Sequence, residues 1–116
     1  MCAGWEQYLY PGETVVLAGP VLKRMRGHGR YNVKQLVLAA EAAAPANRRL
    51  FYVDAQTLKA KDCEKRVEPF SGKNNAMRIQ LGGAAYRVQC VIHTPATWQQ
   101  TIESLSLSVG QMSEKF

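Results

Sequence analysis

Apolar and polar positions alternate with a period of two along most of the chain, then switch to a period of three to four near its end. Residues 13–24 predict a long first strand. Val15, Leu17, Gly19, Val21 and Lys23 fall on one face, and Val16, Ala18, Pro20, Leu22 and Arg24 on the other. Pro20 has no N–H to donate, which places it at an edge or bulge of that strand. Gly27 and Gly29 mark a loop at 25–30. Residues 31–40 predict a second strand, with Lys34, Leu36 and Leu38 sharing a face. After a loop at 41–48, interrupted by Pro45, residues 49–54 (Arg-Leu-Phe-Tyr-Val-Asp) predict a third strand. Residues 57–62 and 64–69 are weaker candidates for strands four and five. Ser71–Asn75 is a turn, and 76–81 with 85–93 form a hairpin around Gly82-Gly83.

The helical signal follows. Thr94 can cap and Pro95 suits a first helical position. Trp98, Ile102, Leu105 and Val109 then recur as one apolar stripe, and Gly110 is a natural stop. Ahead of the strands, residues 5–10 suit a short helical turn ended by Pro11-Gly12. The pattern predicts a single domain with a core at about 12–109 and a loose tail at 110–116. Its fold class is mainly β with one helix: seven strands curled into a split barrel, capped by a C-terminal α-helix.

Charge adds direction. The 116 residues carry a formal net charge of +6, which favours an anionic partner such as phospholipid, nucleic acid or an acidic protein. The densest run is Lys23-Arg24-Met25-Arg26-Gly27-His28-Gly29-Arg30-Tyr31-Asn32-Val33-Lys34, on the predicted first hairpin. By alternation, Lys23 and Lys34 both point to the inside of the sheet at its open end. There a buried cation requires an anion; the alternative is that both reach out to water. Cys2, Cys63 and Cys90 are dispersed, and neither His28 nor His93 lies near a cysteine, so no zinc motif and no cofactor is implied. Reduced thiols suit an intracellular protein. No apolar run nears the ~20 residues that span a bilayer, and no signal peptide is visible. No catalytic residues are indicated, because His93 has no nucleophile or base at motif spacing. Charge alone would also suit a nucleic-acid binder, but such sites interleave exposed aromatics with basic residues. The basic loop has only Tyr31 at its edge.

The strings Gly19-Pro20-Val21-Leu22-Lys23-Arg24, Gln35-Leu36-Val37-Leu38, Leu50-Phe51-Tyr52-Val53-Asp54 and Thr57-Leu58-Lys59-Ala60-Lys61 resemble pleckstrin-homology (PH) domains, in particular those of 3-phosphoinositide-dependent protein kinases. The resemblance spans roughly residues 5–107 and is strongest across 12–61. It implies a non-catalytic module, at most the regulatory domain of a protein kinase, that binds phosphoinositide headgroups or an anionic membrane surface. Such a module would be cytoplasmic and peripherally membrane-associated. By motif, the resemblance assigns Lys23, Lys34, Tyr52 and Lys61 to the inositol phosphates. The chain departs from the family at two of its basic positions, and residues 64–69 lack the family's usual apolar-Pro-Trp run. Asn32 stands where the family has the first arginine of the second-strand pair, with Arg30 two residues earlier as the candidate substitute. Ala84 falls near a further family arginine. Arg24, Arg26 and His28 would form an electrostatic collar. The departures leave a second expectation open, a PH-fold module for protein–protein interaction with weak or lost lipid specificity.

Overall fold

The computed structural model describes residues 5–24, 31–54, 57–64, 66–70, 75–81 and 83–115; the side chains of Trp5, Glu6, Arg24, Tyr31 and 106–115 lie outside that description. A short 3-10 helix, Trp5–Tyr8, leads into seven strands: β1 (Glu13–Arg24), β2 (Tyr31–Glu41), β3 (Arg48–Asp54), β4 (Ala60–Cys63), β5 (Val67–Pro69), β6 (Ala76–Leu81) and β7 (Ala84–Cys90). Helix α1 (Pro95–Lys115) follows. The strands form one antiparallel sheet in the order β4-β3-β2-β1-β7-β6-β5. The expected architecture holds at this level, mainly β with one C-terminal helix. The sheet is open, with β4 and β5 at its edges. A backbone bond from the Glu64 N–H to the Gln80 carbonyl (2.9 Å) nevertheless draws the chain after β4 towards β6.

β1 pairs with β2 along its whole length, but with β7 only over Val21–Lys23. Pro20 thus lies one residue outside the β7 ladder, where a missing N–H breaks no bond to that strand. The register slips between Val15 and Leu17, and this corrects the predicted faces. Leu17 stands opposite Leu38, on the inner face, whereas Val15 stands opposite Ala39, on the outer one. An extra residue at Val16 reverses the alternation before it, as a bulge does.

The inner face carries the main core: Val21, Leu36, Leu38, Leu50, Tyr52, Cys63, Val67, Met77, Ile79, Val88 and Cys90, closed by Trp98 and Ile102 of α1. A second cluster lies on the outer face, where Val37, Ala39, Phe51 and Val53 are covered by Tyr8, Leu9 and Ala18. β2 and β3 are therefore buried on both faces, which is why their sequences read as continuous apolar runs.

Strands four and five are shorter than expected. The Asp54 carboxylate accepts the Thr57 N–H (3.0 Å) and the Asp54 carbonyl accepts the Leu58 N–H (2.9 Å). Leu58 has a left-handed backbone (φ 60°), so an extended chain begins only at Ala60. β7 ends at Cys90, three residues early, where the chain bends before His93. The helix begins as predicted, with Thr94 Oγ1 accepting the Thr97 N–H (3.2 Å) and Pro95 as the first residue. Its end does not. α1 runs through Gly110 to Lys115, so the expected loose tail is helical. An internal glycine costs a helix only about 1 kcal/mol, and Gln111-Met112-Ser113-Glu114-Lys115 contains no proline to break it. Val109 belongs to the helix, but its side chain lies outside the description.

Candidate anion-binding site

Past the bulge, strict alternation carries the inner face of β1 to its end: Leu17, Gly19, Val21, then Lys23. Across the ladder, Lys23 faces Asn32 of β2 on one side and Val88 of β7 on the other. Two residues further along β2, Lys34 faces Asp54 of β3. On β3, Tyr52 faces Lys61 of β4. These residues come from five different strands, and pairing places them together at one end of the inner face. Of the residues the sequence singles out, Lys23, Asn32, Lys34, Tyr52 and Lys61 converge here. Arg26, His28 and Arg30 lie outside the described residues. Arg24 ends β1 opposite Tyr31, out of phase with Lys23.

Aromatic rings floor the site. The Lys23 ammonium stands 4.1 Å from the centroid of Tyr86 and 5.9 Å from that of Tyr52, and the Lys34 ammonium 5.2 Å from Tyr52. Ring faces attract cations and hold the ammoniums in place without neutralising them. Burial pushes the Lys23 pKa down from its ordinary value, and the neighbouring charges of Lys34 and Lys61 push it further. An anion bound here would relieve that repulsion. Burial also raises the phenol of Tyr52, so the hydroxyl stays protonated at neutral pH and can donate a hydrogen bond.

Lys34 departs from the sequence expectation. It is 7% exposed, and its ammonium is hydrogen-bonded and ion-paired to Asp54 Oδ2. The anion that a buried lysine requires is already supplied by the chain. Asp54 and Tyr86 are the two site residues that sequence reasoning missed. Asp54 shares the parity of Tyr52, and Tyr86 that of Val88, so the alternation rule reaches both. What was missing was the register that sets them beside lysines of other strands.

Other reactive groups serve the framework. Arg49 is a second charge centre, on the outer face. It binds Glu13 (2.9 and 3.2 Å), Asp62 (3.1 Å) and the Tyr8 carbonyl (2.7 Å). His93 Nε2 meets the Ala18 carbonyl at 3.0 Å, and its ring stands edge-on to Trp98. Cys63 and Cys90 are buried free thiols, pushed up to about 12 and about 11 by loss of solvent. Among the described residues, no group of three His, Cys, Asp or Glu side chains could hold a metal ion, and no helix is long and apolar enough to cross a membrane. No protein-family model and no curated protein matches the chain.

Proposed function

We propose that this chain is a PH-type split barrel, plugged by α1, whose open end binds phosphoinositide headgroups or an anionic membrane surface without catalysis. The carrying observation is the convergence of Lys23, Lys34 and Lys61 with Tyr52 and Tyr86 at one end of the inner face. A phosphate monoester presents several strong acceptor oxygens to these donors, and charge-assisted bonds to it are about twice as strong as neutral ones. A net charge of +6 adds long-range attraction to an anionic leaflet. The fold order, the basic mouth and the terminal helix bearing an inward Trp98 all suit a module that brings an attached signalling domain to a membrane surface from the cytoplasm.

Vesicle sedimentation tests this. Vesicles of neutral lipid with and without a phosphoinositide should differ in how much protein they pellet. Lys23→Ala with Lys61→Ala should weaken the phosphoinositide-dependent part by roughly tenfold or more, since each cation near the surface contributes about 1 kcal/mol. Equal pelleting on both vesicles, unaffected by the two substitutions, would remove the proposal.

A second reading is favoured by Asn32 opposite Lys23 and by the internal pairing of Lys34, which together leave the mouth less cationic than its lysine count implies. On that reading the module docks a protein and has little lipid specificity. Recovery of a stoichiometric protein partner whose binding survives Lys23→Ala, with no response to phosphoinositide, would favour it.

A further inference from the structure

We propose that Asp54 is a built-in competitor at this site, so that a ligand with two vicinal phosphates binds by displacing the Asp54 carboxylate from Lys34. The inference rests on the anion-binding reading above. Two groups of cations stand at the mouth in different states. Lys23 lies against ring faces and Lys61 is exposed, and among the described residues neither is ion-paired to a carboxylate, so both can meet a first phosphate. Lys34 is buried and its ammonium is held by Asp54 Oδ2. The Lys23 and Lys34 ammoniums lie 5.9 and 5.2 Å from the centroid of the same ring, Tyr52. Lys23 also senses the charge of Lys34, so on this proposal a phosphate seated on Lys23 brings a vicinal neighbour towards Lys34, where it meets a carboxylate already in place.

The carboxylate cannot easily swing aside. Asp54 Oδ1 accepts the Thr57 N–H (3.0 Å), its carbonyl accepts the Leu58 N–H (2.9 Å), and its own N–H donates to the Lys59 carbonyl (3.0 Å). Among the described residues, the turn thus anchors Asp54 at three points besides Lys34. One ammonium then has two rival anions, one of them tethered. The observed affinity for the second phosphate is the intrinsic affinity reduced by the fraction of time Lys34 is free. Once the first phosphate is bound, the second acts at high effective concentration, and this makes the exchange feasible for a bisphosphate. A monophosphate satisfied by Lys23 and Lys61 leaves the Lys34–Asp54 pair intact.

The test is calorimetric titration of the whole chain with a soluble vicinal inositol bisphosphate and with an inositol monophosphate. The same series runs on vesicles bearing the corresponding phosphoinositides, to tell a lipid-borne headgroup from a free one. Asp54→Asn should tighten the bisphosphate about tenfold, as for a pair closed some nine-tenths of the time, and leave the monophosphate within about twofold. Glu103→Gln, an equal charge change on the exposed side of α1, should move neither. Carbon-13 NMR of wild-type protein labelled at aspartate carboxyls gives a readout independent of the variant's folding. Saturating bisphosphate should shift the Asp54 resonance, and monophosphate should not. If wild type binds both ligands but Asp54→Asn gains nothing and the Asp54 resonance stays still, the competitor role is overturned while the anion site stands. If wild type binds neither ligand, the functional reading itself fails.

Discussion

Gly19 shows how one residue can be dictated by a neighbour 74 positions away. A Cβ there would stand 2.9 Å from His93 Cδ2 and 3.4 Å from Nε2, against a ring that is itself bonded to the Ala18 carbonyl and wedged beside Trp98. Gly19→Ala should therefore cost about 1–3 kcal/mol as an overpacked contact. Gly19→Ala in a His93→Ala background should cost clearly less, since the clash has gone. Urea unfolding of the four species measures this coupling, and simple additivity would contradict it. Nothing in the residues around Gly19 forecasts that imidazole. Lys34 teaches the same lesson. Alternation alone turned it inward, but whether its charge would be paired depended on the partner across the β2–β3 ladder, and that partner is Asp54.

At the scale of elements, strand positions and the helix start were legible because side-chain period and capping chemistry are local. The bulge at Val16 was not, because inserting one residue leaves the apolar character of Val15-Val16-Leu17 unchanged while turning Val15 outward. The role of the N-terminal 3-10 helix was also hidden. Its last residue Tyr8, with Leu9 just after it, covers the outer cluster, and Arg49 clamps the segment there by binding the Tyr8 carbonyl and Glu13 and lying over the rings of Tyr10 (4.0 Å) and Phe51 (4.4 Å). The hydrogen bonds from Arg49 are the main reason the Glu13 carboxyl is held below its ordinary value of 4.5. A carboxylate with a lowered folded pKa contributes stability that is present above that ordinary value and lost as pH falls through the folded one. Arg49→Met should cost about 2–4 kcal/mol at neutral pH, since it strands a largely buried carboxylate. It should also speed amide exchange around Tyr8 and flatten the acid limb of the stability curve. Parallel acid limbs for wild type and variant would contradict the clamp.

Across the whole molecule, β2 and β3 are buried on both sides by elements far apart in the chain, α1 inside and the segment Tyr8-Leu9 outside. The two described thiols report on the inner core. Both have folded pKa values above the ordinary 9.0, about 12 for Cys63 and about 11 for Cys90. Above the ordinary value the unfolded chain has released these protons while the folded chain keeps them, so stability falls as pH rises from there towards the folded values. Lys23, whose pKa is lowered, acts in the opposite sense between its folded value and 10.5. The two thiols should dominate. Chemical denaturation of wild type between about pH 8 and about pH 10 should show a decline that Cys63→Ala with Cys90→Ala reduces. Peptide mapping after mild alkylation at neutral pH should find both residues unlabelled in the native state. Ready labelling without unfolding would contradict their burial.

By itself the sequence determined which residues share a face on the first two strands beyond the bulge, where the helix begins, and that lysines stand at the ends of those two strands. These follow from a two-residue or 3.6-residue period and from one capping side chain, all of which act within a few residues. Tertiary structure decided what each lysine meets: Tyr86, 63 residues later, for Lys23, and Asp54 for Lys34. Cross-strand register and ion pairing are long-range. They depend on how whole strands align against one another, and no local pattern carries that information.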